Sequence, residues 1–477
     1  MSNNPNVILI CVDQWTGQLL GCSGHPSIQT PTLDALSRNG TRYSRAYSEC
    51  PVCVPARRTL MTGTSSRLHG DRSFRQDAPM PALPTLAQAF RDGGYQASAV
   101  GKLHVFPQRS RIGFDDVILS EEGRTQWGLV DDYDAYLARS GYWGQHFAHA
   151  MSNNQYIWRP WHLPEEVHET NWATKEMVRT IRRRDPTRPA FWYLSYSAPH
   201  PPLTPLKDYL YLYENEDIDA PVLGDWVDSL PGAVCAKQTN YFPSGRIDSW
   251  LRGVRKAFYA QCTHIDHQIR LVIGALREEG ILDNTVIMFT SDHGDMLGDH
   301  GLLGKRFFYE KSANIPMLLI GQKNDDKVAC NLVDDRLVGL QDVMPTLLEL
   351  AGIPVPDTVE GASVVGEYRR EFLYGEFGES HQATRMIHEG RFKLIYYPSG
   401  NYVQLFDLET DPMELVNLSQ KPDFEEIKRH LLSVLASQLY GADVDWLEND
   451  EFTGLSNNPD ATKVTGDRSL MQQRSIY

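Results

Sequence analysis

Val7-Ile-Leu-Ile-Cys-Val12 is a run of six apolar residues without alternation, closed by Asp13-Gln14. Such a run reads as a strand buried on both faces, as in parallel sheets. Similar segments recur at Thr41–Tyr47, Tyr95–Val100, Ala190–Ser195, Asn284–Ser291 and Pro316–Ile320. Between them the apolar period changes to that of a helix. In Thr30–Gly40, Thr30 can cap, Pro31 suits the first turn, Leu33 and Leu36 make the stripe, and Gly40 stops it. Further helices are predicted at Pro84–Asp92, with Pro84 in the first turn, and at 173–184, Val254–Glu279 and 341–351. Strand-helix alternation of this kind predicts a large, mainly parallel mixed sheet sandwiched by helices. In open sheets ligands bind beyond the carboxyl ends of the strands. That draws attention to the polar residues following the apolar runs, Asp13-Gln14 and Asp292-His293-Gly294-Asp295 above all.

Near residue 380 the pattern changes. Arg391–Tyr397, the turn Pro398-Ser-Gly-Asn401, and Val403–Asp407 predict an antiparallel hairpin, with a helix at 424–439 packed on it. The chain therefore divides into a catalytic domain, 1–380, and a small α+β subdomain carrying an antiparallel sheet, 381–477, whose end after Tyr440 is polar and irregular. Residues 120–175 read as irregular and hold five of the ten tryptophans, either as aromatic walls for a ligand or as packing under a long loop. Residues 205–250 read as loop with short helices. No internal repeat is present.

Charge narrows the field. The chain of 477 residues carries 46 Lys+Arg against 61 Asp+Glu, a formal net charge of −15, with no basic block. Nucleic-acid binding needs clustered cations and is not expected. No apolar run reaches the roughly 18–20 residues of a membrane span, so no membrane partner is expected. An anionic substrate would have to be drawn in by local cations against the global field. Seven scattered cysteines, an odd number, do not form a disulfide framework and fit a reducing compartment. Met1-Ser-Asn-Asn-Pro runs straight into the first strand without a basic or small-residue leader pattern, so a cytoplasmic location is expected.

Cys53-Val-Pro-Ala-Arg57, followed by Arg58-Thr-Leu-Met-Thr-Gly63, changes the picture most. Taken alone, Cys53 reads equally as a buried structural thiol or as a redox partner of Cys50. The Cys-x-Pro-x-Arg pattern resembles the maturation and active-site motif of the type I sulfatases, within the alkaline phosphatase superfamily. Further blocks resemble that family in order: Val12-Asp13-Gln14, Gly101-Lys102-Leu103-His104, Ala198-Pro199-His200, Thr290-Ser-Asp292-His293-Gly294, and Gly298 to Lys305. The resemblance extends to Asp407–Pro412 and Asn417-Leu418.

The resemblance implies an alkaline-phosphatase-like fold and a sulfuric ester hydrolase of the arylsulfatase kind. It implies that a maturation enzyme, a partner of the chain, converts Cys53 to formylglycine (3-oxoalanine). One hydroxyl of the hydrated aldehyde would attack sulfur. Loss of the proton from the other would expel sulfate, where a plain serine would stay trapped as its ester. Asp13, Gln14, Asp292, His293 and the converted Cys53 are implied as ligands of one divalent metal. Arg57 would hold the hydrate, Lys102 and Lys305 would bind sulfate oxygens, and His104 and His200 would carry protons, in either order. Many relatives have Asp at the Gln14 position and Asn at the His293 position. Calcium is the first choice by resemblance, and an amide and an imidazole in the set open it to manganese or zinc. Val54 is often smaller in relatives, a change expected to be tolerated.

The expected substrate is a small sulfate monoester, of a carbohydrate or an aryl alcohol. Two other readings stand beside it. One is a phosphonate monoester or phosphodiester hydrolase on the same scaffold, which Gln14, His293 and Leu302-Leu-Gly-Lys305 also resemble, although that branch commonly lacks the Lys102/His104 pair. The other is an inactive binding homologue. His264 and His267 read as structural, and the acidic run Glu214–Asp219 as a solvated loop. A homo-oligomer is compatible with the sequence, which does not specify one.

Overall fold

The computed structural model describes residues 4–124, 126–151, 153–231, 249–323 and 326–456. Cys235 and most of the polar end of the chain lie outside them. The main sheet is built from β1 (Asn6–Asp13), β2 (Thr41–Tyr47), β3 (Gln96–Gly101), β4 (Asp116–Leu119), β5 (Ala190–Pro199), β6 (Thr285–Ser291), β7 (Met317–Ile320) and β8 (Leu332–Gly339). Their spatial order is β4-β3-β5-β1-β6-β7-β2-β8. Only β7 runs against its neighbours, β6 and β2, so the sheet is mixed but mainly parallel, as the apolar runs predict.

The continuous apolar run of β1 has a direct structural cause. The strand lies between β5 and β6, and its successive residues enter two different cores. Ile8, Ile10 and Val12 pack against α1 (Pro31–Arg38), α4 (Glu169–Arg182) and α5 (Ser249–Glu278). Val7, Leu9 and Cys11 pack against α2 (Cys53–Thr62), α3 (Leu86–Asp92) and α6 (Val343–Leu350). With both faces covered, a polar residue on either face would lack water, and none occurs between Val7 and Val12.

Local details differ from the sequence expectations. Thr30 does not cap α1. Asp266, reaching across from α5, accepts from the backbone N–H of Thr32 (3.0 Å) and Leu33 (2.8 Å), while the Thr30 hydroxyl donates to Asp34. A carboxylate from another helix thus satisfies the orphan donors that a cap would have taken. At α3 the cap is Thr85, which accepts from Gln88 N–H, so Pro84 precedes the helix instead of opening it. The irregular stretch 120–175 contains a helix, Asp132–Arg139, begun by Asp131 accepting from Asp134 N–H at 2.8 Å. Its two buried residues, Tyr133 and Leu137, are too few to make a readable stripe.

The second sheet is antiparallel, in the order β12-β11-β10-β9, from β9 (Phe372–Phe377), β10 (Thr384–Glu389), β11 (Phe392–Tyr397) and β12 (Tyr402–Asp407). Its first strand begins on the N-terminal side of residue 380. Ile387, Leu394 and Leu405 face α7 (Glu425–Gln438). The opposite face, with Met386, Ile395 and Phe406, packs on Tyr47, Phe307 and Tyr309 of the larger unit. Among the described residues no helix is long and apolar enough to cross a membrane.

Candidate active site

Four strands adjacent in space, β3, β5, β1 and β6, end on the same side of the sheet. Lys102 and His104 follow β3, His200 follows β5, Asp13 and Gln14 end β1, and Asp292 and His293 follow β6. β2 reaches the same end and passes through a short loop to α2, whose first residue is Cys53. Segments far apart in sequence therefore meet because the parallel sheet aligns their carboxyl ends. Two of these residues, Gln14 (φ 73°) and His104 (φ 58°), occupy the left-handed backbone region that side chains with a Cβ disfavour. Gly101 has φ 100°, and a Cβ there would meet the Ser195 carbonyl oxygen at 1.8 Å, so the chain can turn toward Lys102 only with glycine.

Every residue of α2 is buried. Cys53 opens it, where unpaired backbone N–H groups favour negative charge. One turn on, Arg57 donates through Nε to Asp292 (2.9 Å) and through Nη1 to Ser195 Oγ (2.8 Å), Tyr193 Oη (3.2 Å) and the Lys102 carbonyl (3.0 Å). Arg57 thereby ties the helix of Cys53 to the ends of β3, β5 and β6. The Cys53 Sγ lies 3.2 Å from His293 Nε2 and 3.8 Å from an Asp13 carboxylate oxygen. Burial pushes the Cys53 thiol up, but Lys305, His293 and Lys102 outweigh burial and hold it well below the ordinary thiol range.

Ligand atoms of Asp13, Cys53, Asp292 and His293 all lie within 4.8 Å of one another, and all four residues are buried. Gln14 adds an amide oxygen, Oε1, which accepts from Lys305 Nζ at 2.7 Å. The same ammonium is 3.2 Å from Cys53 Sγ. Two carboxylates, an amide oxygen and an imidazole nitrogen converging without solvent make a donor set that fits a divalent cation. Lys102 donates to the other Asp13 oxygen and lies 3.0 Å from Glu122 Oε2. Burial works against its charge, but Asp13 and Glu122 hold it protonated.

The two histidines differ. His200 Nδ1 donates to the Pro201 carbonyl (2.6 Å) and lies 3.5 Å from Glu122 Oε1, while its Nε2 has no hydrogen-bond partner among the described residues. Neither ring nitrogen of His104 has one, and the ring is edge-on to Phe74. Burial, then the Lys102 charge, lowers the His104 pKa to about 4, so it is neutral near pH 7. Its backbone, with that of Leu103, is pinned by Glu121 Oε1 accepting both N–H groups at 2.9 Å.

All ten residues singled out in the sequence therefore meet at one end of the sheet. Sequence reasoning missed Glu121, Glu122 and Arg124. Glu122 bridges Lys102, His200 and Arg124, the last at 3.0 Å. They lie in the stretch read as irregular, where two adjacent acids and a nearby arginine carry no periodic signal. Tyr156, which holds Gln14, was missed as well, and Asp295, noted only as part of the polar run after β6, was given no role although it also holds Gln14.

A buried cluster of candidate metal ligands ringed by cations, at the carboxyl end of a mainly parallel sheet, is the arrangement expected of a hydrolase of anionic esters on an alkaline-phosphatase-like fold. Residues 5–353 match the family model described as Sulfatase, and residues 298–440 match that of the N-sulphoglucosamine sulphohydrolase C-terminal region. An arylsulfatase of Clostridium perfringens is 34% identical, over 94% of this chain and 97% of its own length. A choline-sulfatase of Rhizobium meliloti is 29% identical, over 88% of this chain and 83% of its own. The solved phosphonate monoester hydrolase of Agrobacterium radiobacter superposes with a TM-score of 0.75 at 24% identity, over 93% of this chain and 98% of that one, a likeness of fold. The chain belongs to the sulfatase family and is a sulfuric ester hydrolase.

Proposed function

We propose that the protein hydrolyses a small sulfate monoester, of a carbohydrate or an aryl alcohol, with Cys53 as formylglycine and one divalent cation held by Asp13, Gln14, Asp292 and His293. The observation that carries this reading is the convergence of Cys53 with two carboxylates and an imidazole inside 4.8 Å, with Lys305 and Lys102 beside it. A formylglycine hydrate supplies an oxygen nucleophile and a second hydroxyl for release, and a cation in this set lowers the cost of charge on both. Calcium is favoured, and the Gln14 amide and His293 imidazole also suit manganese or zinc.

The chain's own residues account for the rest. Arg57 fixes the helix that carries position 53 and offsets the negative charge of Asp292. Lys305 and Lys102 bind the sulfate oxygens, where their charge counts most as negative charge builds in the transition state. His104 is neutral and close enough to Cys53 to stabilise its thiolate, which suits it to take up a proton at a ring nitrogen. His200 has Nδ1 fixed and Glu122 beside it to stabilise an imidazolium, so Nε2 is the atom that protonates the departing alcohol.

Mass spectrometry of the Cys53 peptide, after co-expression with a maturation enzyme, should show the aldehyde. Cys53→Ala should lower kcat on 4-nitrophenyl sulfate by at least about 10³-fold without loss of fold. A thiol that is never converted, with activity unchanged in Cys53→Ala, would refute the mechanism. A large preference for a phenylphosphonate monoester over 4-nitrophenyl sulfate would move the protein to the phosphonate branch, whose Gln14 and His293 it shares.

A further inference from the structure

Gln14 can serve a cation only through its oxygen, and an amide turned by half a rotation would present a donor instead. Two contacts decide the orientation. Lys305 Nζ, which can only donate, takes Oε1 at 2.7 Å. On the other side Nε2 donates to Asp295 Oδ2 and to Tyr156 Oη (2.8 Å), and Tyr156 Oη itself donates to the same Asp295 oxygen at 2.6 Å. Asp295 and Tyr156 are buried and contribute no ligand atom to the cation set. The second oxygen of Asp295 is engaged as well. Oδ1 accepts from the backbone N–H of Leu297 (2.8 Å) and of Gly304 (3.0 Å), the residue before Lys305. The Met296 N–H donates to the Gly304 carbonyl at 2.8 Å, closing the loop between them.

We propose that Asp295 is a positioning residue with two tasks: one oxygen locks the Gln14 amide with Oε1 toward the cation position, and the other fixes the loop that delivers Lys305. This rests on the reading of Gln14 as a metal ligand. It also accounts for glutamine at position 14. A carboxylate there would face the Asp295 carboxylate at hydrogen-bond distance without a proton between them, so the amide at 14 and the acid at 295 form a matched pair.

The matched pair can be tested by exchange. In Asp295→Asn the single oxygen keeps the two backbone donors, and the new NH₂ faces Gln14, which turns to offer its oxygen. The amide donor then faces the cation position. Calorimetric titration of Ca²⁺ and Mn²⁺ into the metal-free protein should show affinity falling about 10- to 100-fold, the scale of lost outer-sphere support. Gln14→Glu alone should weaken binding similarly. The double variant Gln14→Glu/Asp295→Asn should recover affinity to within a few-fold of wild type, because the carboxylate gives one oxygen to the new amide and keeps the other for the cation. Such rescue is not expected if Asp295 merely stabilises the fold. Circular dichroism melting of the metal-free variants identifies any that fail to fold. Affinity unchanged within about 2-fold in a folded Asp295→Asn, or a folded double variant no better than either single one, would overturn the proposal. A wild-type protein that binds neither ion would overturn the metal reading and this inference with it. Binding by wild type without rescue would overturn this inference alone.

Discussion

Lys102 and Lys393 are both fully buried, and each sits between two carboxylates. Lys102 lies at the strand ends with Asp13 and Glu122. Lys393 lies where the antiparallel sheet meets the larger unit, 2.5 Å from Glu310 and 2.7 Å from Glu414. The surroundings separate them. Beside Lys393, one cation faces two carboxylates in an aromatic setting. Tyr47 donates to Glu310 (3.2 Å), and Glu414 accepts from the Glu310 backbone N–H (2.7 Å). Beside Lys102, the cations Arg57, Arg124 and Lys305 join it against Asp13, Asp292 and Glu122. His104 and His200 there keep ring nitrogens without hydrogen-bond partners among the described residues. A buried ion pair is therefore no mark of function. Several cations converging on one point beside uncommitted ring nitrogens are one, because such a site is poised to receive an anion.

Removing each lysine is the strongest way to break this comparison. Lys393→Met strands two buried carboxylates and should cost about 3–5 kcal/mol of stability, with kcat per folded molecule within about 2-fold of wild type. Lys102→Met leaves Arg57 near Asp13 and Arg124 on Glu122, so its stability cost should be smaller. Its kcat/KM should fall by about 10²–10³-fold, as for loss of one charge-stabilising donor. Urea unfolding and steady-state kinetics on both variants measure the two columns. Equal loss of activity in the two folded proteins would end the distinction.

The sequence made one of these two clusters legible. Asp13, Cys53, Lys102, His200 and Asp292 each follow an apolar run or stand in a distinctive block, so topology could be inferred and the blocks joined. β1 and β6 were readable because burial on both faces leaves no alternation to confuse. The roles of Glu122, Arg124, Asp295 and Tyr156 were not, since what defines them is the neighbour each meets in space. The junction cluster was equally hidden. Glu310, Lys393 and Glu414 lie in a four-residue helix, a strand and a turn, and the pattern of none of them announces burial. Thr30 shows the opposite failure. A sound local capping signal lost to Asp266, which is over two hundred residues away in sequence.

Glu49 sharpens the comparison, because it lies four residues before Cys53 yet behaves like the junction acids. Its carboxylate accepts from the backbone N–H groups of Leu340 (3.0 Å) and Gln341 (3.3 Å). Burial, then the Asp342 charge, pushes its pKa from the ordinary 4.5 up to about 7. Between those values the folded protein keeps a proton that the unfolded chain has released, so rising pH favours unfolding. Glu49 should therefore remove up to about 3 kcal/mol of stability as pH rises from about 4.5 to 7. Glu49→Gln, neutral throughout, should show a shallower fall in denaturant midpoint over that window, with kcat near wild type. A midpoint that falls as steeply in the variant would show that the carboxyl is already ionised in the folded state.

His200 tests the catalytic side of the comparison at its finest grain. If its Nε2 protonates the departing alcohol, its importance scales with how poorly that alcohol leaves. 4-Nitrophenolate departs without help, so His200→Ala should lower kcat/KM on 4-nitrophenyl sulfate by less than about 10-fold. On an alkyl or sugar sulfate, whose alkoxide cannot depart unprotonated, the same substitution should cost about 10²–10⁴-fold. Glu122→Gln should act in the same direction but more weakly, because it withdraws support from the imidazolium while leaving Nε2 in place. His104→Ala should depress both substrates alike, since a proton taken up at position 53 is indifferent to the leaving group. Equal losses on both substrates for His200→Ala, with the leaving-group dependence appearing in His104→Ala, would exchange the two assignments while leaving the contrast between the two lysine clusters intact.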